Sequence, residues 1–259
     1  MKYRSKIKIR LPDKGAGIFS GRFSENVLDL IFPRHCPFCG KAMPLGSRVH
    51  ENCIKTLPKI TGTRCRICSK PVPDNIPLCE DCSETERKVE RVFSPYLYTG
   101  SVKNAVIDFK YNNRRENGQV LGELLACESR EFIEEIRPDL IAAVPIHPKR
   151  RRERGFNQAD IIAEYLSGYF GIPILENAVI RTKKTAAMKG LGASERRENL
   201  SGAFEGSGVL PEGKKVLIVD DIYTTGSTVD SVGEVLLAMG AYKTYAVTVC
   251  IGSSFMIQY

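Results

Sequence analysis

The sequence predicts an α/β fold, a mostly parallel β-sheet with helices on both faces, preceded by a small cysteine-rich domain. Two observations support this prediction. From residue 91 onwards, short apolar runs alternate with amphipathic helical patterns, as in βαβ units. Before that point, seven of the nine cysteines lie between Cys36 and Cys82. We therefore divide the chain into an N-terminal arm at 1–31, the cysteine-rich domain at 32–86 and the α/β domain at 91–255.

The composition limits the class of protein. With 42% hydrophobic residues in a chain of 259, there is enough apolar material for a core, which excludes wholesale disorder. The longest uncharged apolar stretches, such as 140–146, are too short to span a bilayer, so we expect no membrane span. The N-terminus lacks the apolar run of a secretory signal. We therefore expect a cytoplasmic protein with reduced thiols.

The positive charge is concentrated in the N-terminal arm. Residues 1–22 hold seven basic residues and one acidic residue, a net +6 of the whole protein's +8. The body of the protein is therefore almost neutral. We expect a solvated, disordered arm. A contact with nucleic acid or an anionic membrane is the alternative interpretation.

The cysteines form two sets related by a 29-residue repeat with the pattern C-x2-C-x10-[HC]-x2-C. The first set is Cys36, Cys39, His50 and Cys53, and the second is Cys65, Cys68, Cys79 and Cys82. Two residues between ligands allow a tight turn to present both side chains to one ion, and four such ligands close a tetrahedral Zn²⁺ site of the structural kind. We therefore predict two structural zinc ions, whose binding supplies folding energy to units with almost no core.

Other interpretations of these residues are less favoured. The absence of a secretory signal argues against disulfides, and two closed tetrahedral sets argue against an iron–sulfur cluster. An isolated His50 would be interpreted as a surface histidine, but its place in the repeat favours a zinc ligand. Cys127 and Cys250 lie in a predicted helix and a predicted strand, and we expect both to be small buried hydrophobic residues.

The elements of the α/β domain follow from local periodicity. Apolar runs of strand length predict strands at 91–98, 140–146, 215–219 and 245–251. Amphipathic patterns, ended by glycine or proline, predict helices at 102–110, 118–136, 158–170 and 229–239. Parallel sheets of this kind bind ligands beyond the carboxyl ends of their strands.

One predicted strand leads into an unusual polar turn. After the apolar run come Asp220 and Asp221, and then Thr224, Thr225, Gly226, Ser227 and Thr228, which precede a helix. Backbone N–H groups and hydroxyls at a helix N-terminus can hold a phosphate, and the two carboxylates can accept hydrogen bonds from sugar hydroxyls. The segment lacks the Gly-Lys of a Walker A loop. It predicts a sugar-phosphate site, and the alternative is a simple capped helix.

This segment resembles the phosphoribosyl-pyrophosphate (PRPP) loop of type I phosphoribosyltransferases. Residues 32–252 as a whole resemble the ComF family of competence-associated proteins, in which a double zinc ribbon precedes that fold. Three further segments carry the resemblance: VPIHP at 144–148, RGFNQ at 154–158 and ERRENLSGAF at 195–204. The family pattern usually has Cys in place of His50, and Gln near Met188.

The resemblance implies a type I phosphoribosyltransferase fold with PRPP and Mg²⁺ as ligands. Asp220 and Asp221 would be the catalytic pair that holds the ribose hydroxyls, and residues 224–228 would hold the 5′-phosphate. Lys149 and Arg154 would contact pyrophosphate, with the charges at 150–152 steering anions. The segment 181–197 would close over PRPP, the alternative being a surface hairpin. Tyr223 is a candidate only for stacking.

Two classes of function remain open on the sequence. The first is a PRPP-dependent transferase whose acceptor no residue identifies. The second is a non-catalytic module that binds single-stranded DNA, with PRPP as ligand or regulator; the nearly neutral body and the few aromatic residues, 8% with no Trp, disfavour it. Docking of a helicase partner by the zinc ribbons is compatible with either.

Overall fold

A computed structural model describes residues 8–10, 34–44, 46–112, 114–183, 202–208, 210 and 212–252. Within these ranges, no helix is both long and apolar enough to cross a membrane. The cysteine-rich region contributes short helices to a chain that is otherwise built around one large sheet. The expected α/β fold is confirmed.

The main sheet has seven strands in the order β1-β5-β4-β8-β9-β2, and β3 also pairs with β9. Every pairing is parallel except that of β1 with β5. A separate antiparallel pair is formed by β6 and β7. The strands are β1 Lys8–Arg10, β2 Val92–Phe93, β3 Tyr96–Leu97, β4 Leu140–Ala143, β5 Ile174–Glu176, β6 Val179–Arg181, β7 Phe204–Gly206, β8 Lys215–Tyr223 and β9 Lys243–Ile251.

The longer helices cover the sheet. A short helix also follows the third ligand position of each cysteine set. They are α1 Glu51–Lys55, α2 Glu80–Glu84, α3 Gly100–Tyr111, α4 Asn117–Glu128, α5 Arg130–Ile136, α6 Pro148–Arg154, α7 Gln158–Phe170 and α8 Ser227–Ala238. The helix predicted at 158–170 is confirmed as α7. The single helix predicted at 118–136 is wrong, because the backbone turns at Ser129 (φ −92°, ψ 4°) and separates α4 from α5. Cys127, near the end of α4, is exposed, so the expectation that it is buried is wrong, whereas Cys250 in β9 is buried as expected.

The strand predicted at 91–98 is also divided in two. Pro95 has no backbone N–H to donate to a ladder, and it lies between β2 and β3. The preceding Ser94 is fully buried, and its Oγ lies 2.6 Å from Thr248 Oγ1 of β9. A side-chain hydrogen bond therefore holds the segment to the sheet where the backbone ladder is interrupted.

The expectation of a disordered arm is wrong for residues 8–10. They form β1, which pairs antiparallel with β5 at the edge of the sheet. Arg10 also lies 3.1 Å from Glu164 of α7 and 3.3 Å from Glu176 of β5. A strand satisfies the backbone groups that the edge of β5 would otherwise expose, and this outweighs the entropy of ordering three residues. The rest of the arm lies outside the described residues.

The two halves of the cysteine-rich domain pack into different parts of the hydrophobic core. Cys36 and Phe38 belong to the cluster that includes Leu217 of β8 and the buried side of α7. Cys65 and Cys68 belong to the cluster on the other face, with Ile218 of β8 and the buried side of α8. The second half is also hydrogen-bonded to β2, since the Val92 N–H donates to the Ile67 carbonyl. This packing places the second cysteine set beside the N-terminus of α8.

Candidate functional site

The two cysteine sets share one local architecture. In each, a turn closed by a backbone hydrogen bond presents the first pair: Gly40 N–H to Cys36 C=O, and Ser69 N–H to Cys65 C=O. The second pair lies at the start of a short helix, α1 after His50 and α2 after Cys79. The 29-residue repeat therefore corresponds to a structural repeat.

The donor atoms fit zinc. Within each set they all lie within 4.8 Å of one another. Cys39 Sγ is 3.4 Å from His50 Nδ1, and Cys68 Sγ is 3.5 Å from Cys79 Sγ. A tetrahedral Zn²⁺ with Zn–S bonds of about 2.3 Å brings its sulfur atoms to about 3.8 Å apart. The eight predicted ligands are brought together in two sets of four, with His50 facing Cys39 through Nδ1. Their coordination of zinc stays a prediction.

Two thiols of the first set differ in pKa: burial and contact with Cys39 and Cys36 raise the pKa of Cys53 to about 12, whereas Cys36 favours the thiolate form that a metal requires. Burial raises the pKa of Cys36, but backbone hydrogen bonds from His50, Phe38 and Cys39 outweigh it and bring the pKa to about 6. A thiolate near neutral pH is the form that coordinates zinc. Because the protein supplies all four ligand atoms, the set is arranged as a closed structural site.

The paired carboxylates lie inside a strand rather than after it. β8 continues to Tyr223, four residues beyond the predicted end at 219, so Asp220 and Asp221 both belong to the strand. Asp221 is 7% exposed, and its Oδ1 lies 2.8 Å from Lys110 Nζ of α3. Nothing in the local sequence of α3 distinguishes Lys110 from a solvated lysine, and the sequence analysis missed it.

Asp220 is the more accessible carboxylate. Its Oδ1 accepts a hydrogen bond from the Asp221 N–H at 2.9 Å. Burial and the neighbouring Asp221 raise the pKa of Asp220 to about 7, although Lys110 opposes the shift. A ligand that brings positive charge or hydroxyl donors to Asp220 would therefore stabilise the ionised form of its carboxyl.

The loop between β8 and α8 has a backbone shape that requires glycine. Gly226 caps α8 with φ 84°, and a Cβ there would meet the Tyr223 hydroxyl and lie 2.6 Å from Arg87 Nη1. Thr225 Oγ1 and Ser227 Oγ are buried and 2.8 Å apart, whereas Thr224 and Thr228 are half-buried. The loop thus combines a helix N-terminus with hydroxyl groups. Arg87, beneath it, was another residue that sequence reasoning missed.

Tyr223 does not have the role considered for it. Its side chain is 1% exposed and packs in the core beneath the loop. The expectation that it could stack on a ligand is wrong, because β8 carries the residue past the carboxylates and into the interior.

The basic residues after β4 lie on a short helix, α6, rather than on a loop. Lys149 Nζ is 3.8 Å from Glu153, and Arg154 donates to Gln158 Oε1 at 3.0 Å while lying over the Tyr111 ring. Their contact with pyrophosphate stays a prediction.

Arg181, at the end of β6, is a second basic side chain, after Lys110, that lowers the pKa of Asp220. It is 8% exposed, and its guanidinium lies over the Phe204 ring. Burial and Arg150 lower the pKa of Arg181, whereas Asp220 raises it. Arg150, Arg181 and Asp220 therefore share one electrostatic environment. The proposed closing segment lies between the paired strands β6 and β7, and residues 184–201 are outside the described part of the chain.

Two family models match the chain. Residues 27–83 match the double zinc ribbon domain, and residues 153–254 match the phosphoribosyl transferase domain. A purine phosphoribosyltransferase structure from Pyrococcus horikoshii is 19% identical, with a TM-score of 0.32, over 52% of this chain and 88% of that one.

Several curated proteins are similar over most of the chain. The DNA utilization protein YhgH of Escherichia coli K12 is 30% identical over 225 residues, 85% of this chain and 98% of that protein. Competence protein F of Haemophilus influenzae is 32% identical over 62% of this chain and 73% of its own length. Competence protein ComFC of Bacillus subtilis is 27% identical, over 74% and 79% respectively. The chain therefore belongs to the ComF family, whose members join a double zinc ribbon to a phosphoribosyltransferase domain.

Proposed function

We propose that the protein binds PRPP with Mg²⁺ beyond the carboxyl end of β8 and transfers its phosphoribosyl group to an acceptor. The observation that carries the proposal is the position of Asp220, with a half-buried carboxyl near the end of a parallel strand, three residues before Tyr223, where β8 gives way to the polar loop that opens α8. Ligands of α/β sheets bind at this place. A sugar phosphate offers hydroxyls to the carboxylate and a phosphate to the loop.

The loop would hold the 5′-phosphate with both side-chain hydroxyls and backbone N–H groups. Thr224 and Thr228 are half-buried and would donate through their hydroxyls, whereas Thr225 and Ser227 are buried, bond to each other and would contribute backbone N–H groups. Gly226 allows the backbone to turn towards the ligand. The positive end of the α8 dipole adds to the attraction for an anion.

The carboxylates would bind the ribose of PRPP, and the basic groups would bind its pyrophosphate. Asp220 would accept hydrogen bonds from the ribose hydroxyls, and Asp221 would act with it while held by Lys110. The pyrophosphate would be contacted by basic side chains, which are Lys149, Arg150, Arg154 and Arg181. When bound, Mg²⁺ neutralises charge on the departing pyrophosphate. The bond from C1′ to pyrophosphate breaks, a bond from C1′ to the acceptor forms, and the acceptor's proton leaves to solvent.

The experiment is calorimetry of the zinc-loaded full chain with PRPP and Mg²⁺. Asp220→Asn, alone and with Asp221→Asn, should abolish binding while circular dichroism and zinc content stay unchanged. Glu234→Gln removes an exposed carboxylate of α8 and should bind as the wild type does. Release of pyrophosphate from labelled PRPP with mixed acceptors then tests turnover. Unchanged affinity in a folded Asp220→Asn protein would contradict the proposed site.

The names of the relatives favour a second candidate, in which the same site regulates a non-catalytic DNA-binding protein. The relatives are named for DNA utilization and for competence. In this second candidate the protein would act in the cytoplasm on single-stranded DNA, or would dock a helicase through the ribbons. Deleting residues 1–7 removes three basic residues and keeps β1. If the arm binds single-stranded DNA, the salt slope of binding should shrink by about 0.7 for each phosphate that the shortened arm no longer neutralises, with PRPP affinity unchanged. An unchanged slope would contradict a role for this part of the arm.

A further inference from the structure

Arg87 joins the second cysteine set to the phosphate loop. Its Nη2 donates to the carbonyl of Asp81, which lies in α2 between Cys79 and Cys82, at 3.2 Å. Its Nη1 donates to the carbonyl of Thr225 at 2.7 Å and to Asp230 Oδ2 of α8 at 2.9 Å. One side chain thus contacts a zinc knuckle, the loop and the helix that the loop opens.

The surroundings of Arg87 explain why a cation lies there. The side chain is 4% exposed, and that of Asp230 is 15% exposed. A buried charge is tolerated only with partners of opposite charge. Asp230 is one such partner, and its Oδ1 also accepts the Lys88 N–H at 3.0 Å. Four thiolates around one Zn²⁺ keep a net negative charge, so the loaded site attracts Arg87.

The contact with Thr225 sets the direction of the loop backbone. The carbonyl of Thr225 points to Arg87, and the N–H of Gly226 belongs to the same peptide plane. In a trans peptide these two groups point in opposite directions, so the Gly226 N–H is turned away from Arg87. It therefore points away from the buried side of the loop, where Arg87 lies.

We propose that Arg87 is a positioning residue through which zinc at the second set, and not at the first, fixes the phosphate loop for its ligand. This inference rests on the proposed function for the identity of the ligand. Only the second zinc site can act on the loop in this way, because Cys36 of the first set belongs to the hydrophobic cluster on the opposite face of the sheet. Loss of metal from the second set would free α2 to move. The hydrogen bond from Arg87 to the Asp81 carbonyl would then break, and Arg87 would no longer hold the loop in place.

The test combines a measurement without ligand and one with PRPP. Hydrogen–deuterium exchange of the peptide containing Thr225 and Gly226 is measured on the full chain without PRPP. Arg87→Gln should speed exchange there, and calorimetry should show PRPP with Mg²⁺ binding about ten- to a hundredfold more weakly, as expected for hydrogen bonds to a charged group. Arg91→Gln removes an exposed arginine of the same segment, paired with Glu135, and should change neither.

A second pair of variants separates the two zinc sites. Cys39→Ser and Cys79→Ser should each lose about one zinc ion, but only Cys79→Ser should speed exchange in the loop and weaken PRPP binding. Equal effects of both, or no effect of Arg87→Gln on exchange, would overturn the inference. If Arg87→Gln does not fold, Arg87→Lys, whose single ammonium cannot reach three partners, takes its place. If the wild type does not bind PRPP, the proposed function fails, while loop exchange still decides the role of Arg87.

Discussion

Lys110 Nζ of α3 lies 2.8 Å from Asp221 Oδ1 of β8, so an ion pair joins a helix to an internal strand at the proposed ribose site. The two side chains are only 17% and 10% exposed. Burial lowers the pKa of Lys110, but Asp221 raises it more, and the pKa lies above its ordinary value. The lysine is therefore charged at neutral pH, and its charge also lowers the pKa of Asp220.

Replacing Lys110 by methionine should lower the free energy of unfolding by roughly 3 kcal/mol, because a buried carboxylate then has no cation beside it. Urea unfolding provides the measurement. Lys243→Met breaks a more exposed pair, 3.4 Å from Glu90, and should change the stability little. Adding Asp221→Asn to Lys110→Met should recover part of the loss. A loss no larger than that of Lys243→Met would contradict a stabilising role for the buried pair.

The raised pKa of Asp220 predicts a dependence of stability on pH. The pKa is about 7 in the folded chain, against an ordinary value of 3.8. Between these values the folded protein holds a proton that the unfolded chain has released. The contribution of Asp220 to stability is therefore fully present below about pH 4 and is lost as the pH rises towards 7.

Asp220→Asn isolates this contribution. Urea midpoints of both proteins at about pH 5 and about pH 7.5 should show the wild type losing stability relative to the variant as the pH rises. The pKa of Asp160 is also raised by burial, but that group is present in both proteins and cancels in the difference. A difference that does not change with pH would show that Asp220 is not protonated in the folded state. Affinity for PRPP with Mg²⁺ should move the other way and rise with pH, since the ligand needs the carboxylate.

The sequence was sufficient for features whose signal is local. The zinc ligands repeat at one spacing, and α7 follows from helical periodicity ended by Gly171. The polar loop after β8 is recognisable because several unusual residues are consecutive. In each case the residues that act together are close in the chain.

The missed features depend on contacts between distant residues. Arg87 lies in a charged segment and contacts Thr225, which is 138 positions later in the chain. Lys110 is one lysine of an amphipathic helix until packing places it beside Asp221. The strand β1 forms only because the edge of β5 is adjacent in space. A pattern along one segment holds no information about such partners.

His50→Ala should lose one of the two zinc ions and keep the other, because each set of four ligands is closed by itself. Elemental analysis of the purified variant measures this. His50→Cys supplies a thiolate at the same position and should keep both ions, while Cys127→Ser removes a cysteine outside the sets and should also keep both. Two ions retained in His50→Ala would remove the histidine from the ligand set.

Gly226→Ala should both destabilise the protein and abolish PRPP binding. The position has φ 84°, and the new Cβ would meet the Tyr223 hydroxyl and Arg87 Nη1 at 2.6 Å, so the loop must shift. Gly155→Ala is the matched control: its φ is 77°, but nothing lies within 4 Å of a Cβ there. The control should therefore cost only about 1 kcal/mol for the left-handed backbone.

A side chain at Gly226 would clash with both Tyr223 and Arg87, and the contribution of Tyr223 can be measured separately. Within the described chain the buried Tyr223 hydroxyl has no hydrogen-bond partner, so Tyr223→Phe removes one obstacle without breaking a bond. Combined with Gly226→Ala, it should regain part of the stability and of the PRPP affinity, because Arg87 remains in place beneath the loop. Urea unfolding and calorimetry of the four proteins form a double-mutant cycle. Strictly additive effects would mean that backbone strain and the contact with Arg87, and not contact with the tyrosine, exclude a side chain at this position.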